Sequence, residues 1–360
     1  VKSSNIYYIP KLDHLRGLAA MIIFMFHLYH YFYHHWQPNP DAWFMGLIVE
    51  GHTGIGLFFV LSGFIFMLIR LNASEMHYWD FMRNRFLRIF PLFLLVFFVA
   101  ISIGRNDFRA PDVLYLFFSN LGQAPTSNQF ITGAAWSISV EFTFYAIFPF
   151  IALAAINKGI WYLPRLILIL LLFKLGAYAF SELPKHMYYS TLLGRLDQFL
   201  IGMLGASLYL PLVKRQKLAE WYWLPIAAFV CWAGVGVMAH DFSYLSNVQK
   251  DPFWIIWPTL EALLWLGIVL TYLRSAVVIP KLINKLLELM GQVSYSWYLL
   301  HTLVLALWLH LFEPIRTGFF MLDFLLSIIL VGAVSLALAK LSYHTLEEPF
   351  LGMRKRYTVS

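Results

Sequence analysis

Apolar residues in this chain of 360 residues run in long blocks rather than in short alternations. Blocks near 15–36, 52–71, 89–104, 137–156, 160–180, 195–213, 221–240, 253–273, 293–313 and 322–344 mostly approach the roughly 20 residues that a helix needs to cross bilayer hydrocarbon. The third is the shortest. A helix satisfies its backbone hydrogen bonds within one segment, so such blocks predict a helical bundle in lipid. Between the third and fourth blocks, Asp112 to Thr132 reads as an interfacial helix followed by a Gly/Pro/Ser/Asn loop. The polar ends are short, and the first apolar stretch continues too long for a cleaved signal peptide. The expected fold class is all-α: a polytopic integral membrane bundle of about ten transmembrane helices. It forms one domain over 1–360, with its core at about 10–350 and no separate soluble domain.

Composition agrees. Hydrophobic residues make up 60% of the chain and charged residues 12%, about half the charge of a soluble domain. Aromatic residues reach 18%, which suits apolar helices with Trp and Tyr anchors at the interfaces. A net charge of +7 would point to nucleic acid in a soluble protein; here the cations sit between apolar blocks and set orientation instead. With the amino terminus placed in the cytoplasm, about 19 of the 26 Lys and Arg fall on that side. Both termini are therefore expected to be cytoplasmic. The lone Cys231 excludes an intrachain disulfide and a Cys-rich metal site, and no metal is expected.

Ionisable residues inside such blocks cost about 2.5–3.5 kcal/mol each, so each is a functional candidate. The first block begins Leu12-Asp13-His14-Leu15-Arg16-Gly17 and later carries Phe26-His27. At 1.5 Å per residue His27 lies roughly 16 Å beyond Arg16, near the bilayer midplane, with Asp13 and Arg16 broadly on the same face. Neutral imidazole accepts a proton near pH 7, although a core histidine bonded to a neighbouring helix would look the same. Arg85 and Arg88, in the connection after the second block, share a helix face and suit phosphate oxygens. Headgroup anchoring is the plainer explanation of that spacing. Trp136-Ser137-Ile138-Ser139-Val140-Glu141 opens the fourth block, and its carboxylate needs a cavity or a cation. Before the sixth block, Arg195 and Asp197 read as a local pair. The ninth block holds a second deep histidine in Ser294-Tyr295-Ser296-Trp297-Tyr298-Leu299-Leu300-His301, and Glu347 and Glu348 follow the tenth.

In order, these segments resemble the motifs of the membrane acyltransferase family (acyltransferase type 3). The pieces are Leu12-Asp13-x-Leu15-Arg16-Gly17 with Phe26-His27, and Gly54-x-Gly56-x-Phe58-Phe59-Val60-Leu61-Ser62-Gly63-Phe64. Arg85-x-x-Arg88-x-x-Pro91, Trp136-Ser137-x-x-x-Glu141 and Ser294-Tyr295-Ser296-x-Tyr298-x-x-His301 follow. Ile138 stands where the family often has Leu. The resemblance implies a multi-pass protein of the bacterial inner membrane that moves an acyl group, most often acetyl, from cytoplasmic acyl-CoA to a hydroxyl of a sugar or cell-envelope glycan. Acetyl-CoA would be a co-substrate, with no permanently bound cofactor. On this reading His27 and Glu141 are catalytic, His27 acting as general base or acyl carrier. Arg16, Arg85 and Arg88 bind the donor, and Asp13, Ser62, Trp136, Asp197 and His301 support the site. Asp13 lies too far along a straight helix to touch His27, so a carboxylate from another span, Glu141 on reach, is expected to fix the imidazole. The partners are then acyl-CoA, the glycan acceptor and the bilayer, and no nucleic acid.

Two other classes fit ten helices with midplane polar residues. One is a secondary transporter with His27 and His301 in a proton relay. The other is a non-catalytic subunit of a polysaccharide assembly complex, which needs neither His27 nor the arginine pair.

Overall fold

The computed structural model describes residues 7–103, 136–181, 184–214, 220–246 and 250–359. The segment Asp112–Thr132 lies outside the described residues. The principal helices are α1 (Pro10–Tyr29), α2 (Thr53–Leu71), α3 (Tyr78–Ile103), α4 (Trp136–Lys158), α5 (Tyr162–Phe180) and α6 (Leu192–Lys214), followed by α7 (Trp223–Asp241), α8 (Phe253–Arg274), α9 (Lys281–Gln292), α10 (Ser294–Leu311) and α11 (Phe320–Ser342). Strands β1 (Glu75–Met76) and β2 (Thr358–Val359) pair antiparallel, Glu75 opposite Val359. The fold is a polytopic helical membrane bundle.

Among the described residues, nine helical stretches are long and apolar enough to cross a membrane, and they contain α1 to α8 and α11. The expected ninth block, now α10, is not among them. It is 18 residues long, but Ser294, Tyr295, Ser296, Tyr298, His301 and Thr302 are all buried in it. Its first half is enclosed by other helices, where Tyr295, Ser296, Tyr298 and His301 meet protein partners instead of hydrocarbon. The short third block also changes. Helix α3 has 26 residues and begins at Tyr78, so Arg83, Arg85 and Arg88 stand on the helix itself, not on a connection.

Helix α2 holds the centre, packed against α6 at backbone distance. A Cβ on Gly63 would run into the Phe199 carbonyl, and one on Gly202 into the Val60 carbonyl. Lipid-like surroundings provide little drive for apolar helices to associate, so close approach through small residues supplies the van der Waals contact. Gly291, at the end of α9, likewise sits on the Asp13 backbone and fixes the amino-terminal turns of α1. At the periphery, Leu168, Leu172 and Phe173 of α5 face outward, as a lipid-facing stripe requires.

Candidate active site

A cavity of about 280 Å³ lies between the amino-terminal half of α1, α2, α3, α4 and the start of α10. Arg16, Arg85, Arg88 and Arg354 line it, against two carboxylates, Asp13 and Glu141. The four arginines come from three segments far apart in sequence, so the cationic character belongs to the fold and not to any one motif.

Each cation is held differently. Arg88 Nη1 donates to Glu347 Oε2 at 2.6 Å, and the Glu347 carboxylate is fully buried. Ser296 Oγ donates to the other oxygen of Glu347, so α10 and the turn after α11 together orient Arg88. Arg85 lies over the rings of Phe66, Phe81 and Tyr145, 4.9, 5.6 and 5.9 Å from their centroids. Such a cation–π box positions a guanidinium without neutralising it. Its Nε is buried with no hydrogen-bond partner among the described residues. Arg16 stands 3.7 Å from Asp13, whose carboxylate also accepts from Tyr8 OH at 2.8 Å. Glu141 accepts from Ser62 Oγ at 2.5 Å, so both residues belong to the cavity wall.

At its deep end the cavity meets Ser137 and Tyr298, whose hydroxyls are 2.7 Å apart. One turn further along α10, the His301 ring centroid lies 6.0 Å from that of Tyr298. His301 Nε2 is 3.1 Å from His27 Nδ1. The expected carboxylate partner of His27 is thus replaced by a second imidazole; Glu141 is engaged with Ser62 instead.

The surrounding carbonyls determine where the hydrogens sit. His301 Nδ1 faces the carbonyl oxygens of Tyr298 at 2.6 Å and Trp297 at 3.2 Å. Carbonyls only accept, so this nitrogen carries the hydrogen, and Nε2 of the neutral ring offers a lone pair. His27 Nδ1 then donates, toward His301 Nε2 and toward Ile23 O at 2.9 Å. Nε2 of His27 is left with its lone pair, and it makes no hydrogen bond among the described residues. That is the state a proton acceptor or a nucleophile requires.

On the far side from the arginines, α1 widens into a π-helical turn, His30–His34, and ends in two left-handed residues, His35 (φ 46°) and Trp36 (φ 60°). Consecutive non-glycine residues of this kind are uncommon and strained, and they persist where surrounding structure holds them. Their effect is to fold the Trp36 indole back, 5.8 Å from His27 and stacked 5.1 Å from His30.

Comparison with known proteins adds to this geometry. The family profile described as an acyltransferase domain (acyltransferase 3) matches residues 9–344. The chain belongs to the acyltransferase 3 family. Among curated relatives, it is similar to "Acyltransferase MdmB" of Streptomyces mycarofaciens, 31% identical over 153 residues, which is 39% of this chain and 38% of the relative. It is also similar to "Putative O-acetyltransferase SACOL0978" of Staphylococcus aureus (strain COL), 24% identical over 97% of this chain and 58% of the relative. The matches therefore leave much of each relative's length uncovered. No solved structure matches the chain.

In this acyltransferase 3 member the structure brings Asp13, Arg16, Ser62, Arg85, Arg88 and Glu141 into one cavity, with His27 and His301 beyond its deep end. Two predicted residues stand elsewhere. Trp136 is buried 5.0 Å from the ring of Tyr189. Asp197 bonds Lys174 Nζ at 2.8 Å and Thr259 Oγ1 at 2.5 Å. The expected Arg195–Asp197 pair does not form: Arg195 reaches Glu261 of α8 at 2.9 Å. Residues two apart on a helix face in nearly opposite directions, so each found a different neighbouring helix. Sequence reasoning missed Arg354, Trp36 and the role of Glu347. Arg354 stands in a run with Lys355 and Arg356 that reads as a topology signal, and nothing local marks it out.

Proposed function

We propose that the chain transfers an acyl group, acetyl foremost, from a coenzyme A thioester to a hydroxyl of a sugar or cell-envelope glycan. One observation carries the reading: an arginine-rich cavity ends within one helical turn of a histidine pair whose hydrogen bonding leaves a lone pair on His27 Nε2. Guanidinium forks suit the phosphates of the donor. The cavity is at the small end for a ligand site, so it takes the thioester-bearing arm and leaves the adenosine end at the mouth, beside Tyr7 and Tyr8. The acceptor approaches from the opposite side of the membrane, past Trp36.

In the reaction, His27 Nε2 takes the proton of the acceptor hydroxyl as its oxygen forms a bond to the thioester carbonyl carbon. The tetrahedral intermediate collapses, the C–S bond breaks, and the coenzyme A sulfur leaves with the proton from His27. No net proton is consumed. His301 donates to backbone carbonyls throughout and keeps the His27 lone pair aimed at the acceptor.

The test incubates purified protein with radiolabelled acetyl-CoA and candidate glycans, for wild type and His27→Ala at matched protein levels. General-base removal should lower turnover by about 10²–10⁴-fold while coenzyme A still binds. Turnover above about a tenth of wild type in the variant would remove His27 from the chemistry. Proton-coupled glycan flux without acyl transfer would favour a transporter.

A further inference from the structure

The segment after α11 returns across the arginine-bearing end of α3 and is fastened there at several points. Asn84, flanked by Arg83 and Arg85, grips the backbone of Lys355 from both sides: its Nδ2 donates to Lys355 O at 2.6 Å, and its Oδ1 accepts from Lys355 N at 3.0 Å. A side-chain amide that satisfies one residue's N–H and C=O together does the work of a strand neighbour. Beyond it His77 N donates to Tyr357 O at 2.8 Å, Ser74 N donates to Val359 O at 2.9 Å, and β1 pairs with β2. The Tyr357 ring is buried 5.3 Å from Phe81, a member of the aromatic box beneath Arg85.

This docking sorts three consecutive cations. Lys355 and Arg356 are exposed, whereas Arg354 is half-buried and lines the donor cavity beside Arg85 and Arg88. Its Nε donates to Leu351 O at 3.0 Å, which fixes the plane of the guanidinium. Burial first, then the like charges of Arg85 and Arg88, push this group down to about 10. Arginine remains charged at neutral pH even so, and cations held together against repulsion are stabilised by an anion placed among them.

We propose that the strap Met353–Val359 is part of the donor site and that Arg354 is a further phosphate-binding arginine, delivered by Asn84. The proposal rests on the coenzyme A reading above. It concerns a residue beyond the 9–344 match to the family, so the motif pair Arg85 and Arg88 does not imply it.

The experiment measures binding of coenzyme A, 3′-dephospho-coenzyme A and pantetheine to the full chain in detergent. The variants are Arg354→Ala, Arg354→Lys, Asn84→Ala, the Asn84→Ala/Arg354→Ala double variant and Arg85→Ala. Losing one charge-assisted contact should weaken coenzyme A about tenfold in Arg354→Ala. Pantetheine, which has no phosphate, should be unaffected, and Arg354→Lys should recover part of the loss because it restores charge without the fork. Asn84→Ala should weaken coenzyme A as well, and the double variant should be no worse than Arg354→Ala. Equal loss for coenzyme A and pantetheine would show a structural role only and overturn the proposal. Coenzyme A affinity kept within twofold in Arg354→Ala, but lost in Arg85→Ala, would overturn it while leaving the donor reading intact. If wild type binds no coenzyme A at all, both fall together.

Discussion

His301 Nε2 stands 3.1 Å from His27 Nδ1, and helices whose residues lie 274 positions apart in sequence supply the pair. Each ring has its Nδ1 on the carbonyl of a preceding turn of its own helix. The helices therefore orient the imidazoles, and the contact between them acts with Ile23 O to hold the hydrogen on His27 Nδ1.

A positioning role for His301 makes a specific prediction. His301→Ala should reduce kcat by about 10–100-fold, the range for removing a partner that orients a histidine. KM for the acyl donor should stay near wild type, because the ring lies beyond the cavity. His301→Gln, whose amide oxygen can accept from His27 Nδ1, should recover part of the loss. A kcat unchanged in His301→Ala would mean that Ile23 O alone fixes the tautomer.

The Arg88–Glu347 pair is expected to matter for stability as well as for the donor. Removing one partner of a buried pair costs roughly 3–5 kcal/mol, so Glu347→Ala should lower the melting temperature in detergent markedly. The Arg88→Met/Glu347→Leu double variant should melt closer to wild type yet lose donor affinity. Restored melting together with restored donor affinity would show that Arg88 contributes no binding.

At the α2–α6 crossing, Gly63→Val and Gly202→Leu each force a side chain against a facing carbonyl. Overpacking costs about 1–3 kcal/mol where neighbours shift, and more where they are backbone. Both variants should express poorly or melt early. Gly176→Ala, where an added Cβ meets nothing within 4 Å, serves as the tolerant control. Wild-type melting of Gly63→Val would show that the two helices can separate at no cost.

Tyr7 and Arg354 line one cavity, so the two ends of the described chain lie on the same side of the bundle. The Lys and Arg distribution predicts that this side is cytoplasmic. In a Cys231→Ser background, single cysteines replacing Ser4 and Ser360 should react with a membrane-impermeant thiol reagent only after the cells are opened. Labelling of intact cells would reverse the orientation and place the arginine cavity outside.

The order of residues was enough to dictate the solvent of this protein. Long apolar blocks and a low charge content leave a helical membrane bundle as the only arrangement that satisfies the backbone in lipid. Arg16, His27, Glu141 and His301 were also marked, because an ionisable side chain in an apolar block is expensive enough to be noticed, whereas Ser62 and Arg85 stood out only through the family resemblance. The hydrophobic pattern located α10 despite its buried polar first half, but it started α3 too late, because the first turns of that helix are polar and build the cavity. Tertiary structure alone decided the partnerships. It gave His27 an imidazole instead of a carboxylate, sent Arg195 and Asp197 to different helices, and turned Arg354 inward while Lys355 and Arg356 stayed out. The physical reason is the same in each case. Burial cost is a property of a residue and its neighbours along the chain, whereas a hydrogen bond or ion pair depends on which distant helix arrives opposite it, and at what rotation.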